Sequence, residues 1–337
     1  MGLRENYHTP LMESESDIVK ETRRLRQINE DKIARIRGQE KTRERQNLEG
    51  DLILFLQFLE KNKQDIEERV VAGESLEDIL YEEFYNCDKN NLRYADGDPE
   101  TERIKKDYQV AFLKTEEEIK TQIEEMGDYT SLRIKKNQNS YWFQVQTNGG
   151  LDVKEDTIGR LYFNCEAKRT PDFFKKLSDA CVKAGVRAEI KMPHREDAQV
   201  LNRFDKMLVY FDASDEIKSL EIVEELHKQN SEIFGDENTP RFSRKVRDKQ
   251  GRIMRGIGFG EEPIIYNESF GNIRVKILAE LVSEAQKDDY SIFNPKFNIG
   301  KAFQKLCEKH GVDHRNPAFN NIRKNGKDFV ETRKRCQ

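Results

Sequence analysis

Five polar residues between positions 160 and 210 could do chemistry together: Arg160, Lys191, His194, Arg203 and Asp205. Guanidinium and ammonium groups gathered near one carboxylate suit an anion of the phosphate type, because arginine offers planar paired donors and lysine a compact charge. They fall at strand ends and in the loop between strands, where side chains distant in sequence can converge on one ligand. Each has an ordinary alternative. Lys191, like Lys154, is one of many exposed cations, and His194 sits in the polar run Pro193-His194-Arg195-Glu196-Asp197 as a solvated loop residue would. Arg203 and Asp205 can simply pair with each other, and Tyr162 and Tyr210 can be core aromatics with a bonded hydroxyl. The functional reading rests on clustering, not on any one member.

The elements that must position these residues follow from periodicity. Arg160-Leu161-Tyr162-Phe163-Asn164 mixes apolar and polar residues as a strand does. Phe173, Phe174, Leu177, Ala180, Cys181 and Ala184 then repeat at three and four, a helix that Gly185 ends. Further strands are expected over 186–192 and 207–211, with a helix over 214–229 after the last, so that strand and helix recur as a unit on one sheet.

Composition sets the limits. At 337 residues the chain is long enough for a sizeable core, while the hydrophobic and charged fractions are each 36%, which implies a core under a heavily charged surface. A net charge of -4 argues against a generic nucleic-acid binder. The five cysteines are scattered without a Cys-x-x-Cys pair and read as reduced thiols. No apolar run approaches membrane-spanning length, and no apolar secretory core opens the chain.

In order, residues 1–15 read as a disordered leader, and 16–127 as a helical region. Within it, 17–50 forms a thin apolar stripe on a charged helix: a solvated helix in the plain reading, a docking helix or chaperone-wrapped segment in the other. Residues 51–61 should be buried; Ser75 caps a helix through Tyr85; 86–99 is a loop whose aspartates do not match a calcium loop; 100–127 is a long surface helix. A soft boundary near 128 opens an α+β part, 128–320, with a mixed sheet and inserted helices. There Tyr141 to Gln146 is a strand, Asn148-Gly149-Gly150 a turn, and 151–154 the start of the next strand. The run Gly256-Ile257-Gly258-Phe259-Gly260 lacks dinucleotide, P-loop or kinase spacing, and 234–260 reads as a flexible loop. Helices are expected over 273–286 and 300–310. Residues 317–337 read as fraying, with 321–337 a basic tail.

Several short strings stand in a familiar order: Leu80-Tyr81-Glu82-Glu83-Phe84-Tyr85, Arg160 to Asn164, Lys191, Arg203-Phe204-Asp205 running into Leu208-Val209-Tyr210, Pro240-Arg241-Phe242, Ser269-Phe270-Gly271, and Ala302-Phe303 with Gly311 and Pro317. Over residues 76 to 320 they resemble the HopPsyA-type (HopA) effector family, bacterial proteins delivered into plant cells by type III secretion. The resemblance implies an α+β domain similar to the phosphothreonine lyases, with relatives in class V lanthipeptide biosynthesis that eliminate phosphate from phosphoserine or phosphothreonine.

It also implies a phosphorylated protein or precursor peptide as partner, beside a secretion chaperone or partner kinase, and no cofactor or metal. The chain would reside in the bacterial cytoplasm or be secreted into a host cell. On this resemblance the catalytic set is Lys154 or Lys191 as base and His194 or Tyr162 as acid, with Arg160, Asn164, Arg203, Asp205, Tyr210 and Arg241 holding phosphate or substrate. The chain departs from the lyases where they carry a lysine and a histidine one residue apart on a core strand, since Arg160 and Tyr162 stand there. Arginine stays protonated, so Arg160 clamps rather than abstracts. The other reading is a non-catalytic effector that binds a peptide in a phosphate-friendly groove.

Overall fold

The computed structural model describes residues 51–336 except 88–91, 129, 136–140, 152–156, 195–196, 236–237, 264–267, 288–291, 294–295 and 321–328. The expected leader and charged helix of 1–50, and Lys154, lie outside the described residues.

Among the described residues, seven strands form one sheet in the order β1-β2-β4-β5-β3-β7-β6. They are β1 (Leu132–Ile134), β2 (Trp142–Thr147), β3 (Ile158–Phe163), β4 (Ala188–Pro193), β5 (Met207–Asp212), β6 (Arg244–Arg247) and β7 (Ile253–Glu261). The architecture is α+β as expected. Instead of a mixed sheet, every pairing among the described strands is antiparallel.

Alternation along the central strands builds two cores, one on each face. Leu161, Phe163, Val209, Phe211, Ile190 and Phe259 point to the first. There they meet α4 (Pro99–Met126), α5 (Thr170–Ala184) and α7 (Glu216–Gln229) through residues such as Phe112, Phe174 and Leu220. Tyr162 and Leu208 point to the second, with α1 (51–61), α2 (Lys63–Val71), α3 (Leu76–Leu80), α8 (Phe270–Lys287) and α9 (Ile299–Lys309). A short α6 (Ala198–Asn202) joins β4 to β5.

Local signals set the helix ends. Asp98 accepts from the Thr101 N–H at 2.8 Å with Pro99 in the first turn of α4, Gly127 closes that helix at φ 60°, and Ser75 accepts from the Asp78 N–H at 3.0 Å to start α3. The break near 128 does not separate compact units, since residues 47–337 form one. Only the periodicity changes there; Phe112 of α4 stacks edge-on against Phe143 of β2, ring centroids 5.4 Å apart.

Three more expectations are corrected. Most of 244–261 is strand, not loop: Gly258 and Gly260 lie in β7 paired with Tyr162 and Arg160 of β3. A Cβ on Gly260 would come within 2.4 Å of the Phe270 ring, so glycine is there to let α8 approach the sheet. The turn at 148–150 exists, but β2 pairs with β1 and β4, not with β3; the strand expected from 151 lies, over 152–154, outside the described residues. Residues 329–336 do not fray. Phe329 is buried in the first core, and α10 (Val330–Arg335) docks on α7, where Arg335 Nη1 lies 2.8 Å from Glu224 Oε2 and the Thr332 N–H donates to Glu216 at 2.6 Å. No described helix is long and apolar enough to cross a membrane.

Candidate functional site

The second face of the sheet carries a polar row across its centre. Register places Gln146 (β2), Glu189 (β4), Tyr210 (β5) and Arg160 (β3) side by side, ending at Gly260 of β7. One step along, Lys191 pairs with Gln144 on one side and Leu208 on the other, and Leu208 with Tyr162. Strand alternation thus puts Arg160, Tyr162, Lys191 and Tyr210 on the face opposite Leu161, Ile190 and Val209.

The contacts are specific. Arg160 is buried, its Nε 2.6 Å from Glu262 Oε1 and its guanidinium 4.6 Å from the Tyr210 ring centroid and 5.6 Å from that of Tyr162. The Lys191 ammonium lies 4.6 Å from the same Tyr210 ring and 3.2 Å from Glu189 Oε1. Glu189 also accepts from Lys135 at 3.0 Å and from Gln146 at 3.1 Å. Burial, with help from Arg160 and Lys135, outweighs Glu189 and holds Lys191 below the ordinary lysine range. Burial likewise pushes Tyr85, Tyr162 and Tyr210 up, so each keeps its phenolic proton.

Above the row sits a π-helical turn, Tyr81–Tyr85, a geometry that recurs at functional sites. Its two tyrosine rings stack at 5.4 Å, and the Tyr85 hydroxyl meets that of Tyr162 at 3.1 Å. Phe270 closes the back, 5.9 Å from Tyr162 and 6.4 Å from Tyr85. A Cβ on Gly271 would come within 2.7 Å of Tyr85 and 2.8 Å of Tyr81, so this glycine seats both rings. Strings scattered over 190 positions of sequence, from Tyr81 to Gly271, therefore meet at one place.

Arg203 joins at the margin. It holds Asp205 through two contacts, 2.7 and 2.9 Å, and lies 5.4 Å from the Trp142 ring. The Asp205 charge is felt at Tyr162. Two of the expected residues line other cavities. Asn164 accepts from Lys206, donates to Asn238 O at 3.0 Å and lines a separate cavity of about 560 Å³. Arg241 lies 5.7 Å from the Phe84 ring and lines another, of about 350 Å³. His194 follows β4, its backbone N–H donating to Tyr141 O at 3.2 Å.

Sequence reading missed Tyr85, Glu189, Glu262 and Arg274. Glu189 was legible, since it alternates with Lys191 on β4. Glu262 follows β7 and was hidden once that strand was read as loop. Arg274 is buried in α8 one turn before Leu278, its Nε donating to Pro317 O at 2.9 Å and its guanidinium 3.9 Å from the Phe270 ring centroid; both Nη atoms are buried without a hydrogen-bond partner. An arginine on the apolar stripe of a helix was the signal.

The molecule so defined is an α+β protein whose antiparallel sheet bears a buried arginine–tyrosine–lysine cluster on one face. Residues 134–319 match the model of the HopA1 effector protein family, and the chain belongs to that family. No curated protein matches the chain. Among solved structures, the chain is similar to the effector protein from Pseudomonas syringae pv. tomato strain DC3000, with 12% identity and a TM-score of 0.48 over 82% of this chain and 100% of that one. It is similar to the effector from Pseudomonas syringae pv. syringae strain 61, with 14% identity and a TM-score of 0.48 over 82% and 98%. A third similarity is to the Chromobacterium violaceum VirA (SpvC) phosphothreonine lyase effector protein, with 13% identity and a TM-score of 0.29 over 39% and 66%.

Proposed function

We propose that the chain is an effector that eliminates phosphate from phosphoserine or phosphothreonine in a protein or precursor peptide, using the second face of its sheet. One observation carries this reading: a half-buried lysine held below its ordinary range lies against the same tyrosine ring as a buried arginine. A neutral amine can take the Cα proton of the phosphorylated residue. The electron pair of the Cα–H bond forms the Cα–Cβ double bond, the Cβ–O bond breaks, and phosphate leaves with the electron pair of that Cβ–O bond. Arg160 and Arg203 hold the phosphate oxygens as charge develops, and Tyr210, which keeps its proton, supplies the acid. The reading places the chain's work in a host cell after delivery by a dedicated secretion system.

A second reading, peptide binding without turnover, is favoured by a different observation. Arg160, Lys191 and Arg203 each already face a carboxylate, Glu262, Glu189 and Asp205. A balanced site suits a polar peptide better than a free dianion. Incubation with a phosphothreonine peptide separates the two. Elimination yields a peptide lighter by the elements of phosphoric acid, whereas binding alone retains an intact peptide on the protein; a hydrolysed peptide, lighter by phosphate but still carrying its hydroxyl, overturns the elimination reading.

A further inference from the structure

The cavity of about 350 Å³ at the sheet's edge strand β6 belongs to neither the row nor the tyrosine cluster. Its volume is at the small end of ligand pockets, about 300–1,000 Å³. Among the described residues, its charged lining is Asp51, Arg241, Arg244, Lys245 and Arg247. Arg244 is more than nine-tenths buried, and its Nη1 reaches only a long contact with Asp51 at 3.3 Å and with Ser243 O at 3.5 Å. Its Nε and Nη2 have no hydrogen-bond partner, and neither does the buried Nε of Arg241.

Buried guanidinium donors are rarely left unmet, because each costs about 1–3 kcal/mol or more when charged. Three of them line one small cavity. The turn that presents them is itself held in an unusual conformation: Phe242, between Arg241 and Arg244, has φ 64°, a left-handed value that a bulky residue seldom adopts. Such backbone is kept where surrounding structure fixes it, and it clusters at ligand clamps. Here the fixing contacts are the Arg241 N–H on Tyr85 O at 3.1 Å and the Phe242 ring on Phe303 at 6.3 Å.

We propose that this cavity is a second anion site, which takes a phosphate-class oxyanion between Arg241 and Arg244. A neutral ligand can accept from these donors but leaves their positive charge uncompensated, while one tetrahedral oxyanion presents several acceptors and a compensating charge at once. The site stands apart from the sheet-face cluster and does not depend on the elimination reading.

Calorimetric titration of the full chain with inorganic phosphate, at ionic strength held constant with chloride, tests it. Arg241→Gln and Arg244→Gln should each weaken binding by about tenfold to a hundredfold, the loss of one charge-assisted hydrogen bond. Arg241 is only half-buried, so Arg241→Gln decides the matter should Arg244→Gln fail to fold. The same titration with a phosphoserine peptide identifies the source: tighter binding than phosphate points to a phosphorylated chain, equal binding to the free ion. Binding that survives both substitutions, that is lost instead on Lys191→Ala, or that chloride alone reproduces overturns the proposal.

Discussion

Arg160 and Lys191 come from the two strands that flank β5, and both cationic groups lie 4.6 Å from the centroid of its Tyr210 ring. The tyrosine quadrupole attracts both cations, and the burial it brings makes the lysine the easier of the two to neutralise. Arginine keeps its proton under any such pressure, so the pair divides into a fixed charge and a titratable amine.

Lys191 should therefore set the pH dependence of elimination. Burial and the neighbouring cations favour the neutral amine, so activity rises with pH and levels off below the ordinary lysine value of about 10.4. Lys191→Ala should lower kcat by about a hundredfold to ten-thousandfold, the usual worth of a general base. Lys191→Arg should not restore it, because arginine cannot give up its proton. A rate–pH profile for the three proteins checks all of this.

The Tyr85–Tyr162 hydroxyl pair predicts a non-additive cycle. Tyr85→Phe or Tyr162→Phe alone strands a buried hydroxyl and should cost about 1–3 kcal/mol, while the double substitution should cost little more than one single change. Urea unfolding of the four proteins measures the coupling; strictly additive losses would contradict the contact.

Glu262 neutralises a buried arginine. Glu262→Gln leaves Arg160 uncompensated and should destabilise the fold by about 3–5 kcal/mol, whereas replacing both by apolar residues of similar size should cost less. Denaturant midpoints of the single and double variants test the order.

Gly260→Ala should cost about 1–3 kcal/mol or more, since the added methyl meets the rigid Phe270 ring at 2.4 Å. Gly251→Ala is the contrasting case: nothing lies within 4 Å of its Cβ, and only its φ of 79° resists the change. Thermal unfolding of both separates packing from backbone strain.

How much of this was legible depends on which rule each residue obeys. The central strands were readable because Leu161, Ile190 and Val209 alternate with Arg160, Lys191 and Tyr210, and one buried face fixes the phase. Gly258 and Gly260 erased that signal in β7, because what packs on them comes from elsewhere in the chain: Thr239 and Ser243 on Gly258, and the Phe270 ring of α8 on Gly260. With the strand went Glu262, and with it the partner of Arg160. Arg241 was grouped with the sheet cations through the family resemblance of Pro240-Arg241-Phe242, whereas it lines a different cavity. The basic C-terminal stretch read as solvated because its partners, Glu216 and Glu224, lie more than a hundred positions earlier, buried on α7.

The account turns on whether Lys191 removes a proton from carbon. A phosphothreonine peptide deuterated at Cα measures that step directly by mass spectrometry. Elimination by this chain should give an unsaturated residue that has lost both phosphate and the deuterium, with neither lost when Lys191 is replaced by alanine. Release of phosphate with the deuterium kept on carbon, or an untouched peptide, would contradict it.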